Sequence, residues 1–255
     1  MNFREDKKVI IPILLVLAGF VGWKSWKDLH PPAIEKQQVV FDTRYFVRDS
    51  ASLSAVPDNG GAIIIWAGDL GAEGLTPSPV EPVSIPQREV DPLYVMPEIP
   101  ADLPKVFPTI EKNIDLWRAQ NNTFNAIFID YTAARPVLMM LEDFCSKLRN
   151  YLKKNYWIFV RLRRDAVESA PDRKTWLANM GKDVQGFAFN RSEERNTPET
   201  IEQMIKNLDN LGAPFLIVTD EIPDYAGLTQ TFKDKRPEFF AAFMLDMTAL
   251  RKSTQ

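Results

Sequence analysis

Six short apolar runs punctuate the chain at intervals of about thirty residues. They are AIIIWAGD (62–69), LYVMPE (93–98), AIFID (126–130), WIFVRLR (157–163), GFAFNR (186–191) and FLIVTDE (215–221). Each is rich in β-branched and aromatic residues and nearly continuous rather than alternating, which is how strands covered on both faces read. Most of the gaps carry helical spacing. Pro108 opens a helix with Ile110, Ile114 and Trp117 on one face, and Pro136 opens a longer one with Leu138, Leu141, Cys145, Leu148 and Leu152 three or four apart. Asp172 begins a short helix ending near Gly181. Thr197-Pro198 caps the next, with Ile201, Met204, Ile205 and Leu208 inward and Gly212 closing it. Pro237 opens the last, with Phe239, Phe240, Phe243, Met247 and Leu250. Strands alternating with helices at this period predict βα units, a parallel sheet and helices on its outside.

One gap breaks the rule. Residues 75–108 hold nine prolines, so no helix is expected before the second of these strands, and a long loop covers one end of the sheet. An open doubly wound sheet and a (β/α) barrel both fit the alternation. The nucleotide-binding form of the open sheet carries a glycine-rich turn after its first strand. Here that turn reads AGDLGAEG (67–74), lacks the G-x-G-x-x-G spacing and leads into no clear helix. An α/β TIM-like barrel is therefore the expected fold. Counting VVFDTRYFV (39–47) as a further strand still leaves fewer than eight, so a short or irregular barrel is anticipated.

The runs all end on polar residues: Asp69, Glu98, Asp130, Arg161 with Arg163, Asn190 with Arg191, and Asp220 with Glu221. Polar residues mark the exit of any strand from a core, but in parallel βα folds the carboxyl ends of the strands also hold the ligand site. Neighbouring strands lie ~4.8 Å apart, so Glu98 and Asp130 on adjacent strands would fall within the roughly 5–9 Å that separates glycosidase carboxyl pairs. Arg161 or Arg163 would lower the pKa of a nearby carboxylate. Trp66, near the rim, is the candidate platform for a sugar face, and Tyr131 the candidate hydroxyl at the mouth. Trp157 and Trp176 are expected in the core.

The N-terminus changes where such a domain would work. MNFREDKK precedes an apolar run, VIIPILLVLAGFVGW (9–23), and KSWKD follows. Fifteen residues span roughly 22 Å as a helix, short of a ~30 Å hydrocarbon core, and flanking Trp23, Trp26 and lysines bridge the difference. No A-x-A cleavage site is evident. Residues 1–29 are expected to form an uncleaved signal anchor, transmembrane over about 9–26, in preference to a removed signal peptide or a buried core helix. The domain behind it would then lie outside the cytoplasm, in the periplasm of a bacterial host. Residues 30–60, with Pro31-Pro32, read as a linker carrying the extra strand, and residues 61–255 as the barrel-like domain. Of the net charge of -3, the first 29 residues contribute +2, so the remainder is acidic and has no basic run. That excludes an ordinary nucleic-acid binder. The one cysteine, Cys145, lies on an apolar stripe and reads as a buried, inert thiol, and no intramolecular disulfide can form. The one histidine, His30, argues against a histidine zinc site or a Ser-His-Asp triad. Neither metal nor cofactor is expected, and the chemistry falls to carboxylates, arginine, tyrosine and asparagine.

NAIFIDY (125–131), followed by a helix and then WIFVRLR, resembles the strand-helix-strand core of TIM-barrel glycoside hydrolases. It is similar in placement to the acidic strand of chitinase-like barrels, in which several aspartates and a glutamate share one strand end. Asp130 matches that motif, and Tyr131 and Thr132 stand where further acids occur in the family. The resemblance implies a site directed at a polysaccharide or oligosaccharide. In a hydrolase, Glu98 or Asp220 would be the general acid and Asp130 the nucleophile or base, with Asp69, Trp66, Tyr131, Arg161, Arg163, Asn190 and Glu221 lining the site. Metal-dependent polysaccharide deacetylases share a related barrel but need histidine ligands absent from this domain. The rival expectation is a non-catalytic scaffold or polysaccharide-binding subunit of an envelope assembly, joined to a protein partner through an unclosed sheet edge.

Overall fold

The computed structural model describes residues 41–58, 61–80, 88–120, 125–153, 156–191 and 199–253. The expected anchor, the first part of the linker and the Thr197-Pro198 cap lie outside these residues. Among the described residues no helix is long and apolar enough to cross a membrane. Val40–Gln255 forms a compact unit of its own.

Each of the six apolar runs contains a strand. In chain order the strands are β1 (Thr43–Val47), β2 (Ile63–Gly71), β3 (Gly74–Pro77), β4 (Val90–Met96), β5 (Ala126–Tyr131), β6 (Trp157–Arg161), β7 (Gly186–Asn190), β8 (Phe215–Thr219) and β9 (Phe240–Asp246). They pair in the order β1-β9-β8-β7-β6-β5-β4-β2-β3, and β1 also pairs with β2. Eight parallel strands thus close into a TIM-like barrel, while β3 folds back antiparallel on β2 as a flap outside the ring. All the strands of the ring belong to the unit that begins at Val40.

The barrel is complete, neither short nor irregular in strand number. The strand expected within 39–47 is β1. The eighth is β9, where the spacing of Phe240, Phe243 and Met247 had suggested a helix. FAAFMLD is equally a continuous apolar run, and pairing with β8 on one side and β1 on the other settles it as a strand. The helix α8 (Met247–Ser253) starts only afterwards. The remaining helices are α1 (Ser50–Leu53), α2 (Leu103–Gln120), α3 (Leu138–Tyr151), α4 (Arg164–Glu168), α5 (Arg173–Met180), α6 (Ile201–Asp209) and α7 (Tyr225–Thr231). Pro108 does not open α2. The helix starts at Leu103 and contains Pro108 at the cost of one backbone hydrogen bond. The cap of α6 is Thr200, whose side chain accepts from Gln203 N while Gln203 reaches back to the Thr200 N–H.

The strands read as continuously apolar because both faces are covered. Phe46, Ile64, Leu93, Phe128, Phe159 and Met244, with smaller side chains between them, fill the barrel interior, and Trp66 and Val95 pack on this cluster from one end. The alternate residues face the helices. Tyr94 donates to Asn113 of α2 at 2.9 Å, and Phe187 meets Trp176 of α5 with ring centroids 5.4 Å apart. Each large apolar side chain buried this way contributes about 1.5–3 kcal/mol. Cys145 is fully buried in α3, and burial pushes its thiol pKa far up, so the inert reading fits. Trp157, expected in the core, is 53% exposed at the first position of β6.

One polar cluster interrupts the apolar interior at the amino end of the barrel. Arg44 Nη1 lies 3.6 Å from both Glu89 Oε1 and Asp91 Oδ2, and these three buried atoms make no hydrogen bond. The other oxygen of Asp91 accepts from the N–H groups of Asn125 and Ala126 at 3.1 and 2.9 Å. Burial raises the Asp91 pKa well above the usual carboxylate range, Glu89 beside it raises it further, and the two N–H groups oppose the shift. The protonated form of Asp91 is thus favoured where two acids face one guanidinium.

Two expectations follow from this architecture. A raised native pKa means the folded state holds a proton that the unfolded chain releases near pH 4, so this group's contribution to stability falls as pH rises from about 4 through the native value. Asp91→Asn keeps the acceptor for Asn125 and Ala126. It should flatten the decline of urea-unfolding stability between about pH 4 and neutrality and leave the domain at least as stable at pH 7; an unchanged slope would remove Asp91 as its source. Gly68 has φ +150°, and a Cβ there would meet the backbone oxygen of Thr76 at 2.3 Å, at the bulge where β2 turns toward its flap. Gly68→Ala should lower stability by at least about 1–3 kcal/mol, read by thermal unfolding.

Candidate functional site

The register of neighbouring strands brings three polar side chains together at the carboxyl end of the barrel. Asp130 on β5 is paired with Arg161 on β6, and Asn190 is the last residue of β7. All three continue the inward-facing series, since Asp130 follows Ala126 and Phe128 at intervals of two, and Asn190 follows Ala188. Arg161 is the centre of the group. Its Nη1 lies 3.2 Å from Asp130 Oδ2, and its Nη2 donates to Asn190 Oδ1 at 2.7 Å. Its guanidinium carbon stands 5.7 Å from the centre of the Phe46 ring on β1. The side chains of Arg161 and Asp130 are only 8% and 5% exposed.

A buried ion pair is held by geometry and by the hydrogen bonds around it, and removing one partner typically costs about 3–5 kcal/mol because the other charge is left uncompensated. The planar guanidinium fits this position, because its fork reaches two strands at once while its face lies over an aromatic ring. The group is therefore a fixed polar surface rather than a set of mobile side chains.

A second element of the rim comes from β2. Trp66 is partly buried against the interior cluster, and its indole N–H donates to Asp69 Oδ1 at 3.0 Å. The bulge between Trp66 and Gly68 shifts the register, and Asp69 lies exposed beyond it, on the stretch of β2 paired with β3. Asp69 thus orients the indole.

The other predicted site residues are placed differently. Glu98 is exposed, two residues beyond the end of β4, although β4 and β5 are neighbours as expected. Asp220 is exposed directly after β8. Tyr131 alternates with Asp130 and turns to the opposite face, where its hydroxyl accepts from Val137 N at 3.2 Å under the loop leaving β5. It is buried there and anchors that loop rather than joining the Asp130 group. Arg163 is exposed and donates from Nε to Asp165 at 3.0 Å. Glu221 is exposed and paired with Arg191. The structure therefore unites Asp130, Arg161 and Asn190, pairs Trp66 with Asp69, and leaves Glu98, Arg163, Asp220 and Glu221 on loops.

Phe46 was not anticipated in the site. Period-two alternation through TRYFV places Arg44 and Phe46 on one face of β1, and that signal was available once the segment was accepted as a strand. Arg48, just beyond β1, stands 5.2 Å from the same ring centre.

No protein-family model matches the chain, and no curated protein matches its sequence. Among solved structures it is similar to the spore cortex-lytic enzyme SleL of Bacillus cereus, with TM-score 0.52 and 9% identity, over 76% of this chain and 57% of that one. It also aligns with 2,3-dimethylmalate lyase, a PEP mutase/isocitrate lyase superfamily member, at TM-score 0.48 and 10% identity over 86% and 80% of the two chains. A third alignment is with an HpcH/HpaI aldolase from Desulfitobacterium hafniense, at TM-score 0.40 and 12% identity over 84% and 90%. The likeness to the cortex-lytic enzyme, whose length this chain spans by little more than half, is one of fold.

Proposed function

We propose that the carboxyl end of the barrel is a carbohydrate-binding mouth, in a domain displayed outside the cytoplasm on an N-terminal anchor. The observation that carries this reading is the buried Asp130–Arg161–Asn190 group at the same end of the barrel as an oriented, partly buried tryptophan. Sugars are bound by planar donors and acceptors fixed in place together with an aromatic face for the apolar side of the ring, and this rim supplies both.

Binding is favoured over cleavage. Asp130 is committed to Arg161, and the two other expected catalytic carboxyls, Glu98 and Asp220, are exposed to solvent. A glycosidase needs one carboxyl kept as an acid in a dry pocket opposite a second that attacks or activates water. The mouth offers a fixed ion pair instead, which suits a polysaccharide-binding subunit of an envelope assembly.

The test is binding of the Val40–Gln255 unit to a polysaccharide array, with two variants beside the wild type. Asp130→Asn should abolish binding. Its thermal unfolding must be recorded in parallel, because the substitution disturbs a buried pair. Trp66→Ala keeps that pair and should weaken sugar affinity by roughly tenfold, in line with about 1–1.5 kcal/mol for an aromatic contact. Retention of full affinity in folded Trp66→Ala and Asp130→Asn proteins would move the ligand site away from the mouth. Release of reducing ends from a bound polysaccharide would replace the binding reading by the hydrolase.

A further inference from the structure

Two guanidiniums share one aromatic ring at the carboxyl end of the barrel. Phe46 is fully buried, and the guanidinium carbons of Arg48 and Arg161 stand 5.2 and 5.7 Å from its ring centre. Arg48 is itself exposed, so it lays its stem on the end of the interior and keeps its charge open to solvent. Its backbone is fixed where Arg48 N donates to Thr248 Oγ1 at 3.0 Å. Alternation from Phe46 puts Arg48 on the inward side of the chain, in agreement with its contact to that ring. β1 and β2 pair Val47 with Ile65, and the next position of that register sets Arg48 beside Trp66, at the ~4.8 Å spacing of neighbouring strands.

The two charges are met differently. Arg161 is paired with Asp130 at 3.2 Å. Among the described residues Arg48 has no carboxylate partner, and the acids around it are engaged elsewhere. Asp49 Oδ1 accepts from Ser52 N at 2.6 Å and lies 3.8 Å from Arg251 Nη1. Asp246, which register sets beside Phe46 on β9, accepts through Oδ1 from the N–H groups of Thr248 and Ala249 at 3.1 and 3.0 Å. Asp69 accepts from the Trp66 indole at 3.0 Å. Arg48 thus presents an unmatched positive charge beside the oriented indole.

We propose that Arg48 recognises a carboxylate on the saccharide, so that the ligand is an acidic polysaccharide of the uronic-acid type. The proposal rests on the carbohydrate reading of the mouth and names its ligand class. A planar guanidinium meets a carboxylate with two parallel N–H donors. Contact with Phe46 restrains that plane before a ligand arrives, which lessens the freedom lost on binding. One unmatched cation balances the single charge of a carboxylate rather than the near-double charge of a phosphate monoester. Adjacent positions on β1 and β2 suit the charged group and the apolar face of one sugar residue.

The test uses the full-length chain in a sugar-free non-ionic detergent at one fixed salt concentration. The probes are alginate, pectate and hyaluronan, each beside its carboxyl-reduced neutral form, with a neutral glucan and poly-γ-glutamate. An acidic polymer should bind about tenfold or more tighter than its reduced form, the measure of one charge-assisted pair. Arg48→Gln alters an exposed side chain, so the fold is retained, and it should bring the acidic polymer down to the affinity of the reduced one. Lys182→Gln removes an exposed cation just after α5 and should keep the preference. Equal affinity for acidic and reduced polymers, a preference that survives Arg48→Gln, or an equal loss in Lys182→Gln would overturn the proposal. Binding of neutral polymers that Trp66→Ala weakens would, in those cases, keep the carbohydrate reading of the mouth. Poly-γ-glutamate binding that Arg48→Gln abolishes, with no polysaccharide bound, would leave an anion site for acidic peptides and sink that reading along with the proposal.

Discussion

A closed ring of eight parallel strands allows an inward-facing polar side chain almost nowhere but at its two ends. The interior is lined only by alternate strand residues, and between the ends it is packed with Phe46, Ile64, Leu93, Phe128, Phe159 and Met244. Unpaired polar groups in such a space cost several kcal/mol. The chain meets this constraint by placing an arginine–acid group at each end and hydrocarbon between them. The two groups solve the same electrostatic problem differently. At the carboxyl end Arg161 reaches its partners at 3.2 and 2.7 Å. At the amino end Arg44 stands 3.6 Å from two acids, and burial with the neighbouring Glu89 raises the Asp91 pKa against the opposing N–H groups. The first is a finished surface, the second a charge balance that shifts with pH.

β1 is the strand on which closure turns. It pairs with β9 and β2, and its inward side chains reach both ends: Arg44 toward Glu89 and Asp91, Phe46 under the guanidinium of Arg161. The ring closes at β1, so it leaves no unpaired barrel edge through which an envelope partner could add a strand. Among the described residues the flap strand β3 has one unpaired edge of only four residues, GLTP, ending in proline, which is a poor template for a further strand.

The six central strands were legible because two-sided burial writes a nearly continuous apolar run that differs from the three-or-four spacing of helices α3 and α6. β9 was not, since FFAAFMLDM satisfies both patterns and only the partners on either side decide between them. The start of β4 was hidden by Pro92, a residue that argues against a strand interior when the sequence is read alone. With it went Asp91, a buried carboxyl that looks like a loop residue in QREVDP. The site was legible to the extent that it follows from strand register. Asp130, Arg161 and Asn190 each end a buried run; register sets Asp130 beside Arg161, and the guanidinium reaches Asn190 two residues beyond its own partner Ala188. Glu98 and Asp220 end runs too, but one or two residues beyond the last paired position, and that small offset separates a side chain fixed in the barrel from one carried on a loop.

That offset also bears on mechanism. Chemistry that relies on two carboxyls in opposite protonation states needs one of them desolvated and both held rigidly. Rigidity at the mouth comes from the ladder of the sheet and is available to Asp130, which is already engaged by Arg161. Desolvation that favours the protonated form of an acid occurs at Asp91, at the opposite end of the barrel. Rigid placement of a carboxyl and strong desolvation of one thus occur at opposite ends of the same barrel. The mouth carries fixed donors and an oriented indole, and both are held by the sheet rather than by its loops.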